Sequence, residues 1–264
     1  MNHLNFIKLK TTWLYIICFS FFINYFQSSC SSKVAQNQAS NITTEQVIYR
    51  NQKFDIVTID LQKTPIQFYW KNKEGKLIRS LKNLKKVVEQ DGKQLHFAMN
   101  AGMYQRDRNP QGLYIEDGKI IKPLDTLQSG YGNFYLQPNG VFFIDDQTAG
   151  VLPSTVFSKQ KATPKRATQS GPMLVINDKI HPIFTEGSSH LNIRNGVGMI
   201  SEHEVVFAIS HTEVNLFDFA MFFKEKLNCK NALYLDGFVS RAYIPSLQRL
   251  DLDGDFGVII GVTN

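Results

Sequence analysis

Ala232-Leu233-Tyr234-Leu235-Asp236-Gly237-Phe238-Val239-Ser240-Arg241 is the stretch on which the reading of the fold turns. An apolar run delivers a carboxylate, a glycine and then a hydroxyl within five residues. A short apolar run of this kind reads as a buried strand. Glycine directly after it allows a sharp turn or a close approach to a ligand. Asp236 is therefore expected at a strand end, on the rim of a sheet, where ligand sites collect in proteins that mix helices and strands. Taken alone, Asp-Gly after a strand is also an ordinary turn signal, so the rest of the chain must decide.

Working outward, hairpins dominate. Lys53 to Leu61 alternates as a strand, with Ile66 to Trp70 as its expected hairpin partner after Thr64-Pro65. Asp117-Gly118 separates Leu113–Glu116 from Lys119–Ile121, and Asn177-Asp178-Lys179 separates Met173–Ile176 from Ile180–Ile183. Gly140–Ile144 turns through Asp145-Asp146, and Asn195–Ile200 pairs with Glu204–Ile209 across Ser201-Glu202-His203. Leu95–Met99 and Phe256–Val262 add apolar strands. Apolar residues at helical spacing occur twice, over Leu77 to Gln90 and over Asn215 to Asn228, where Asn215 and Asp218 resemble a capping box. About a dozen strands and two main helices give an α+β class, a single domain with a large, mixed or antiparallel sheet.

The N-terminus reads as an export signal over residues 1–30. Lys8 and Lys10 precede an apolar core from Trp13 to Ile23, and Ser28-Ser29-Cys30 supplies small residues before a cysteine. That order points to a lipoprotein leader with Cys30 as the lipidated residue and the membrane as partner. Gln27 stands where an aliphatic residue is usual, and an ordinary cleaved signal is the alternative. Both place the domain outside the cytoplasm. Residues 31–44 are polar and read as a flexible tether, so the domain is expected over 45–264, long enough for a sizeable core. Removing Cys18 and Cys30 leaves Cys229 alone, a small buried hydrophobe in a chain with no expected intrachain disulfide. The formal charge of +6 falls to +4 without Lys8 and Lys10. The basic residues form no stripe with interleaved aromatics, so a nucleic-acid partner is not expected, and Lys82, Lys85 and Lys86 share one solvated helix face.

Four stretches, the opening one included, share one pattern, a strand followed by a polar residue beside glycine. They are Asn100-Ala101-Gly102-Met103-Tyr104, Gln169-Ser170-Gly171-Pro172, Arg194-Asn195-Gly196-Val197-Gly198 and Leu235-Asp236-Gly237. One such junction is a turn; four imply strand ends meeting on a common rim. Glycines there can turn backbone amides toward an oxyanion, and Arg194 offers a forked donor set for phosphate or carboxylate, or a structural ion pair.

In order and spacing, these motifs, the helix at Asn215-Leu216 and Leu-Asp-Gly-X-X-Ser resemble the phosphodiester glycosidase family, over about Phe97 to Tyr243. Phe238-Val239 and Asn195 depart from the metazoan-like form of the pattern, which has further glycine after the aspartate and a small residue after the arginine. The resemblance implies hydrolysis of a sugar-1-phosphodiester of a glycan or glycolipid. Asp236 would then act at the anomeric carbon as acid, base or nucleophile, and Arg194 would bind the phosphate. Asn100 and Ser240 would hydrogen-bond sugar or phosphate, with Gly102 in the same loop, and Ser170 and the Gly171 amide would meet phosphate oxygens. A polar loop carrying Glu186 could supply a second carboxylate, and His190, His211 and Glu213 are further candidates for substrate contact.

No metal or cofactor is called for. The histidines lack zinc spacing, and phosphate-loop, nucleophile-elbow and dinucleotide motifs do not occur. Asp251-Leu252-Asp253-Gly254-Asp255 has the spacing of a calcium loop without its later glutamate and reads as a turn. Two rivals stand beside the glycosidase reading: a surface lipoprotein that binds anionic polysaccharide without cleaving it, and a phosphodiesterase that cuts P–O instead of C–O.

Overall fold

The computed structural model describes residues 42–236 and 239–264. The expected leader, most of the tether, Cys18, Cys30, Gly237 and Phe238 lie outside the described residues. In chain order the strands are β1 (Ile42–Tyr49), β2 (Gln52–Asp60), β3 (Gln67–Tyr69), β4 (Leu95–Asn100), β5 (Tyr114–Glu116), β6 (Lys119–Lys122), β7 (Gly140–Asp145), β8 (Thr148–Pro153) and β9 (Arg166–Ser170). They continue as β10 (Met173–Ile176), β11 (Lys179–Ile180), β12 (Asn195–Met199), β13 (Glu204–Ser210), β14 (Ala232–Tyr234), β15 (Ala242–Ile244), β16 (Arg249–Leu250) and β17 (Ile259–Thr263). The helices are α1 (Leu81–Gln90), α2 (Ser154–Phe157) and α3 (Leu216–Met221), the last prolonged by a wider turn over Phe222–Lys226.

The α+β class holds, and the strands divide among three antiparallel sheets. The largest has seven strands in the order β1-β2-β13-β12-β14-β10-β11. The second runs β16-β15-β4-β17-β3 and the third β6-β5-β9-β7-β8. One core cluster draws on all three, with Val57, Phe97, Met99, Phe142, Val197, Phe207, Leu233 and Ile260 packed together. Strand alternation then assigns the other faces. On the seven-stranded sheet, Leu233 and Leu235 face this central core, while Ala232 and Tyr234 face α3 with Phe219, Phe222 and Phe223. The second sheet covers its outer face with α1, whose Leu81, Leu84 and Val88 pack on Ala98 and Ile259.

The short hairpins form, although the second arm of the Asn177-Asp178 turn is Lys179–Ile180 and not Ile180–Ile183. Asp117-Gly118 and Asn177-Asp178 each hold two successive positive φ angles, the conformation of the tight turn that matches strand twist. Ile66–Trp70 differs from expectation: β3 pairs with β17 in the second sheet, and the hairpin partner of β2 is β1. That partner begins at Ile42, inside the segment read as tether, because alternation in Thr43 to Ile48 is too polar to announce a strand. The first helix starts at Leu81 rather than Leu77. Arg79 takes a left-handed φ of 69°, and the Ser80 hydroxyl then caps the helix by accepting from the Asn83 amide. Asn215 caps α3 through the Asp218 amide as expected.

Glycines at Gly196 and Gly198 let α3 settle on β12. A Cβ on Gly198 would lie 2.6 Å from Cys229 Sγ and 2.8 Å from a Phe223 ring carbon. Cys229 itself is buried, and burial pushes its thiol up to about 12, as suits a packing residue and not a nucleophile. Gly198→Ala should destabilise the domain by about 1–3 kcal/mol through overpacking, lowering Tm by roughly 2–4 °C per kcal/mol. Adding Cys229→Ala should restore part of the loss in thermal denaturation; no loss in the single variant would contradict this seating of the helix.

Candidate active site

Four strand ends meet where the three sheets come together. Asn100 closes β4, Ser170 closes β9, Arg194 precedes and Asn195 opens β12, and Asp236 follows β14. All five side chains are buried, Asp236 being 5% exposed. Asn100 is the centre of the group. Its Nδ2 donates to Asp236 Oδ2 at 2.7 Å and to the Val239 carbonyl at 2.6 Å. Its Oδ1 accepts from the Arg241 amide at 2.7 Å and from Asn195 Nδ2 at 3.2 Å. A primary amide has two donors and two acceptor sites, so Asn100 is saturated and its orientation is fixed. Asn195 also donates to the Asn100 carbonyl at 2.7 Å and accepts from Ser240 Oγ at 3.2 Å. These contacts stitch β12 of the first sheet to β4 of the second and hold Asp236 and Ser240 beside the seam.

Arg194 reaches the same region from the helix-facing side of β12. Its guanidinium donates to the Val214 carbonyl at 2.6 Å, to Tyr234 Oη at 2.8 Å and to the His190 carbonyl at 2.8 Å. No carboxylate lies in ion-pair range of it among the described residues, so the structural ion pair left open by the sequence is not what holds it. Tyr234 feels the charges of both Arg194 and Asp236. Residues two apart on an extended strand share a face, which puts the phenol on the side that Asp236 continues. Burial first, then the charge of Asp236, pushes Tyr234 up to about 12, and the same two causes raise Tyr104. Both phenols therefore stay protonated around the carboxylate at neutral pH.

The remaining candidates divide. Ser170 Oγ donates to the Leu235 carbonyl at 2.6 Å and so anchors the strand that presents Asp236. Gly102 and Gly171 allow close packing: a Cβ would fall 2.1 Å from Thr168 Oγ1 at the first and 2.7 Å from Asn139 Cβ at the second. Gly196 and Gly198 lie inside β12 with β13 and β14 on either side, so their peptide groups serve the ladder. Glu186 is exposed, 3.7 Å from Arg50. His211 stands in another cluster, its Nε2 2.8 Å from Oδ1 of buried Asp55, which also accepts from Gln46 and Arg249. His190 contributes its carbonyl to Arg194, and Glu213 is exposed.

The calcium-like stretch is tied up by arginines. Asp253 receives a forked pair of bonds from Arg241, Asp251 accepts from Arg249, and Asp255 accepts from both Arg79 and Arg108. The two guanidiniums hold the Asp255 carboxyl well below the usual carboxylate range. This loop clasps the Tyr104–Arg108 segment and the Ser240–Arg241 segment, one on each side of the site.

The sequence profile of a family described as phosphodiester glycosidase matches residues 93–256, more than half of the chain and all of this constellation. The chain belongs to the phosphodiester glycosidase family. A curated relative, the uncharacterized protein YigE of Escherichia coli K12, is 37% identical over 187 residues, or 71% of this chain and 72% of that one. Two solved structures share the fold. The catalytic domain of zebrafish N-acetylglucosamine-1-phosphodiester alpha-N-acetylglucosaminidase, auto-inhibited by its pro-peptide, superposes with a TM-score of 0.57 at 15% identity, covering 84% of this chain and 82% of its own. A hypothetical protein from Synechocystis gives 0.51 at 14% identity, covering 84% of this chain and 61% of its own.

Tyr234, Asn195 and Tyr104 were not assigned roles from sequence. The alternation of β14 carried a signal for Tyr234, since it shares the face of Asp236. Asn195 looked like a departure from pattern and is instead the link between Asn100 and Ser240. Asn100→Ala should cost about 2–4 kcal/mol, since it strands the buried Arg241 amide and the Val239 carbonyl. Asn100→Asp sets two carboxyls against each other and raises a folded-state pKa. A raised carboxyl pKa means stability that is present at low pH and lost as pH rises. The Asn100→Asp penalty relative to wild type should therefore grow between about pH 4 and pH 7, reaching roughly 3–5 kcal/mol. Denaturant titrations at both pH values check this, and a penalty independent of pH would contradict the contact.

Proposed function

We propose that the chain is a hydrolase that cleaves the glycosidic bond of a sugar-1-phosphodiester, in a glycan or glycolipid outside the cytoplasm. The observation that carries this reading is a buried carboxylate, Asp236, two residues from Tyr234, whose hydroxyl accepts from a buried guanidinium, Arg194, that has no ion-pair partner among the described residues. A phosphodiester carries the negative charge that such a guanidinium lacks, and an anomeric carbon is the usual target of a positioned carboxylate. The zebrafish neighbour, named for an N-acetylglucosamine-1-phosphodiester, supports the same substrate class.

In this mechanism Arg194 holds the phosphate oxygens while the bond between the anomeric carbon and phosphate oxygen breaks. The bonding pair leaves with the phosphate as a monoester, which needs no strong acid to depart. Asp236 takes a proton from the water that attacks the anomeric carbon, or attacks that carbon itself and is released by water. Inversion at the anomeric carbon identifies the first course and retention the second. Asn100 holds one oxygen of Asp236 in place. Ser240, which donates to Asn195, and the protonated Tyr104, which feels the charge of Asp236, are the groups assigned to sugar hydroxyls.

Purified protein incubated with N-acetylglucosamine- and hexose-1-phosphodiesters in oxygen-18 water should release sugar carrying the label, with unlabelled phosphate. Asp236→Asn should reduce turnover by about 10²–10⁴-fold. Label in the phosphate would move the chemistry to P–O cleavage, and bound diester recovered intact would make the chain a binding protein.

The export reading belongs to the same proposal. The leader motif supports lipidation at Cys30 and anchoring to a membrane. Wild-type protein expressed in cells should partition with membranes and take up a fatty-acid label, whereas Cys30→Ser should lose both; unlabelled, soluble wild-type protein would overturn the anchor.

A further inference from the structure

The third sheet is the least covered of the three. α3 and its prolonged turn lie on the outer face of the first sheet, and α1 lies on that of the second. The outer face of the third has only α2, which is four residues long. Leu113, Ile115, Val141 and Ala167 point to that face, and Phe157 of α2 covers part of them. What remains is a groove of about 280 Å³, with Ile120 of β6 on one bank and the stretch from Phe157 to Pro164 on the other. Ile120 is 58% exposed there, and its neighbour Ile121 is exposed as well.

β6 is also an open edge. The sheet runs β6-β5-β9-β7-β8, and its other edge is engaged, since the Ala149 amide of β8 donates to the Glu202 carbonyl at 2.8 Å. Among the described residues, no strand pairs with the outer side of Lys119–Lys122. An edge strand presents a row of N–H and C=O groups, a template for another extended chain. Charge says which chain. Lys119 and Lys122 flank the two isoleucines, and Lys159 and Lys161 stand on the opposite bank. None of the four is ion-paired among the described residues; the lysines that are paired there are Lys63, Lys73, Lys85 and Lys165.

Three occupants can be weighed. A second copy is disfavoured: Lys-Ile-Ile-Lys set antiparallel to itself brings Lys119 opposite Lys122, and like charges directly opposite are destabilising. A lipid surface matches the charge but not the edge, because acyl chains cannot pair backbone groups. An acidic extended segment matches both, and the groove, below the roughly 300–1,000 Å³ of small-molecule sites, suits side chains better than a whole ligand. We propose that β6 is a docking edge for an acidic segment of a partner protein. The segment adds as an extended strand, sets alternate apolar side chains into the groove and brings its carboxylates to the four lysines. The contact is separate from the Asp236 group and does not rest on the hydrolase reading.

Two labelled decapeptides, one alternating valine with glutamate and one alternating valine with lysine, test this by fluorescence anisotropy on the purified protein. The glutamate peptide should bind at least about tenfold more tightly than the lysine peptide, and the gap should narrow as salt rises. Lys119→Glu with Lys122→Glu should reverse the order of the two peptides, and Ile120→Asp should weaken the glutamate peptide by about tenfold. All three positions are at the surface, and a reversed order cannot arise from a damaged fold. No binding of the glutamate peptide up to about 1 mM, or a preference that survives the charge reversal, would overturn the proposal. Undiminished binding of a glutamate peptide N-methylated at alternate amides would do the same, since it reduces the contact to charge alone. A dimer in sedimentation that Ile120→Asp dissolves would give the edge to a second copy. Flotation with phosphatidylglycerol vesicles that Ile120→Asp abolishes would give it to a membrane, and either result rejects the peptide partner.

Discussion

Everything at the centre of this protein depends on one buried amide. Asn100 uses both of its donors and both of its acceptor sites, and it does so on partners from different parts of the chain. A buried polar group must be paired to be tolerated, so each of these partners fixes the others. The consequence is geometric. The first and second sheets cannot slide at this seam without stranding a buried N–H or C=O, and Asp236 is held to that seam. An arrangement that secures two sheets thereby also orients a carboxylate.

Charge in the site is arranged with similar economy. Asp236 and Arg194 are both buried, the Tyr234 phenol feels the charge of each, and burial keeps that phenol protonated and neutral. Burying an ion is costly unless its surroundings compensate. Arg194 is compensated by two carbonyls and a hydroxyl, which satisfy its hydrogen bonding while leaving its positive charge for a ligand. The surrounding loops are handled differently. Asp251, Asp253 and Asp255 are each matched to arginines on the flanking segments. These pairs are partly exposed, and such bridges are individually worth little. As a set they tie together the two segments that border the carboxylate.

Periodicity made much of the fold legible. The hairpins at Asp117-Gly118 and Asn177-Asp178, both helices and the antiparallel α+β character follow from local patterns, because turn geometry and the buried stripe of a helix are decided within a few residues. Pairing between distant strands was not legible. Ile66–Trp70 follows Lys53–Leu61 closely enough to suggest a hairpin, yet it joins β17 from the far end of the chain. Strand partners are chosen by which faces can share a core, and alternation alone does not name a partner. The same limit hid β1, whose polar residues alternate on an edge strand.

The sequence by itself determined which residues are the candidates for chemistry: Asn100, Arg194 and Asp236 stand out because a polar group beside glycine at a strand end is a local feature, and the ordered set of such junctions is a family signature. Only the tertiary structure decided what those residues do to one another. It joined Asn100 to Asp236 across the seam between two sheets, set the Tyr234 hydroxyl against Arg194, and sent His211 and Glu186 elsewhere. Hydrogen bonds of this kind link positions about a hundred residues apart in the chain, and their existence depends on sheet packing that no local pattern records. The Asp-Gly junction that reads locally as a turn is a candidate catalytic carboxylate because three sheets happen to end at the same place.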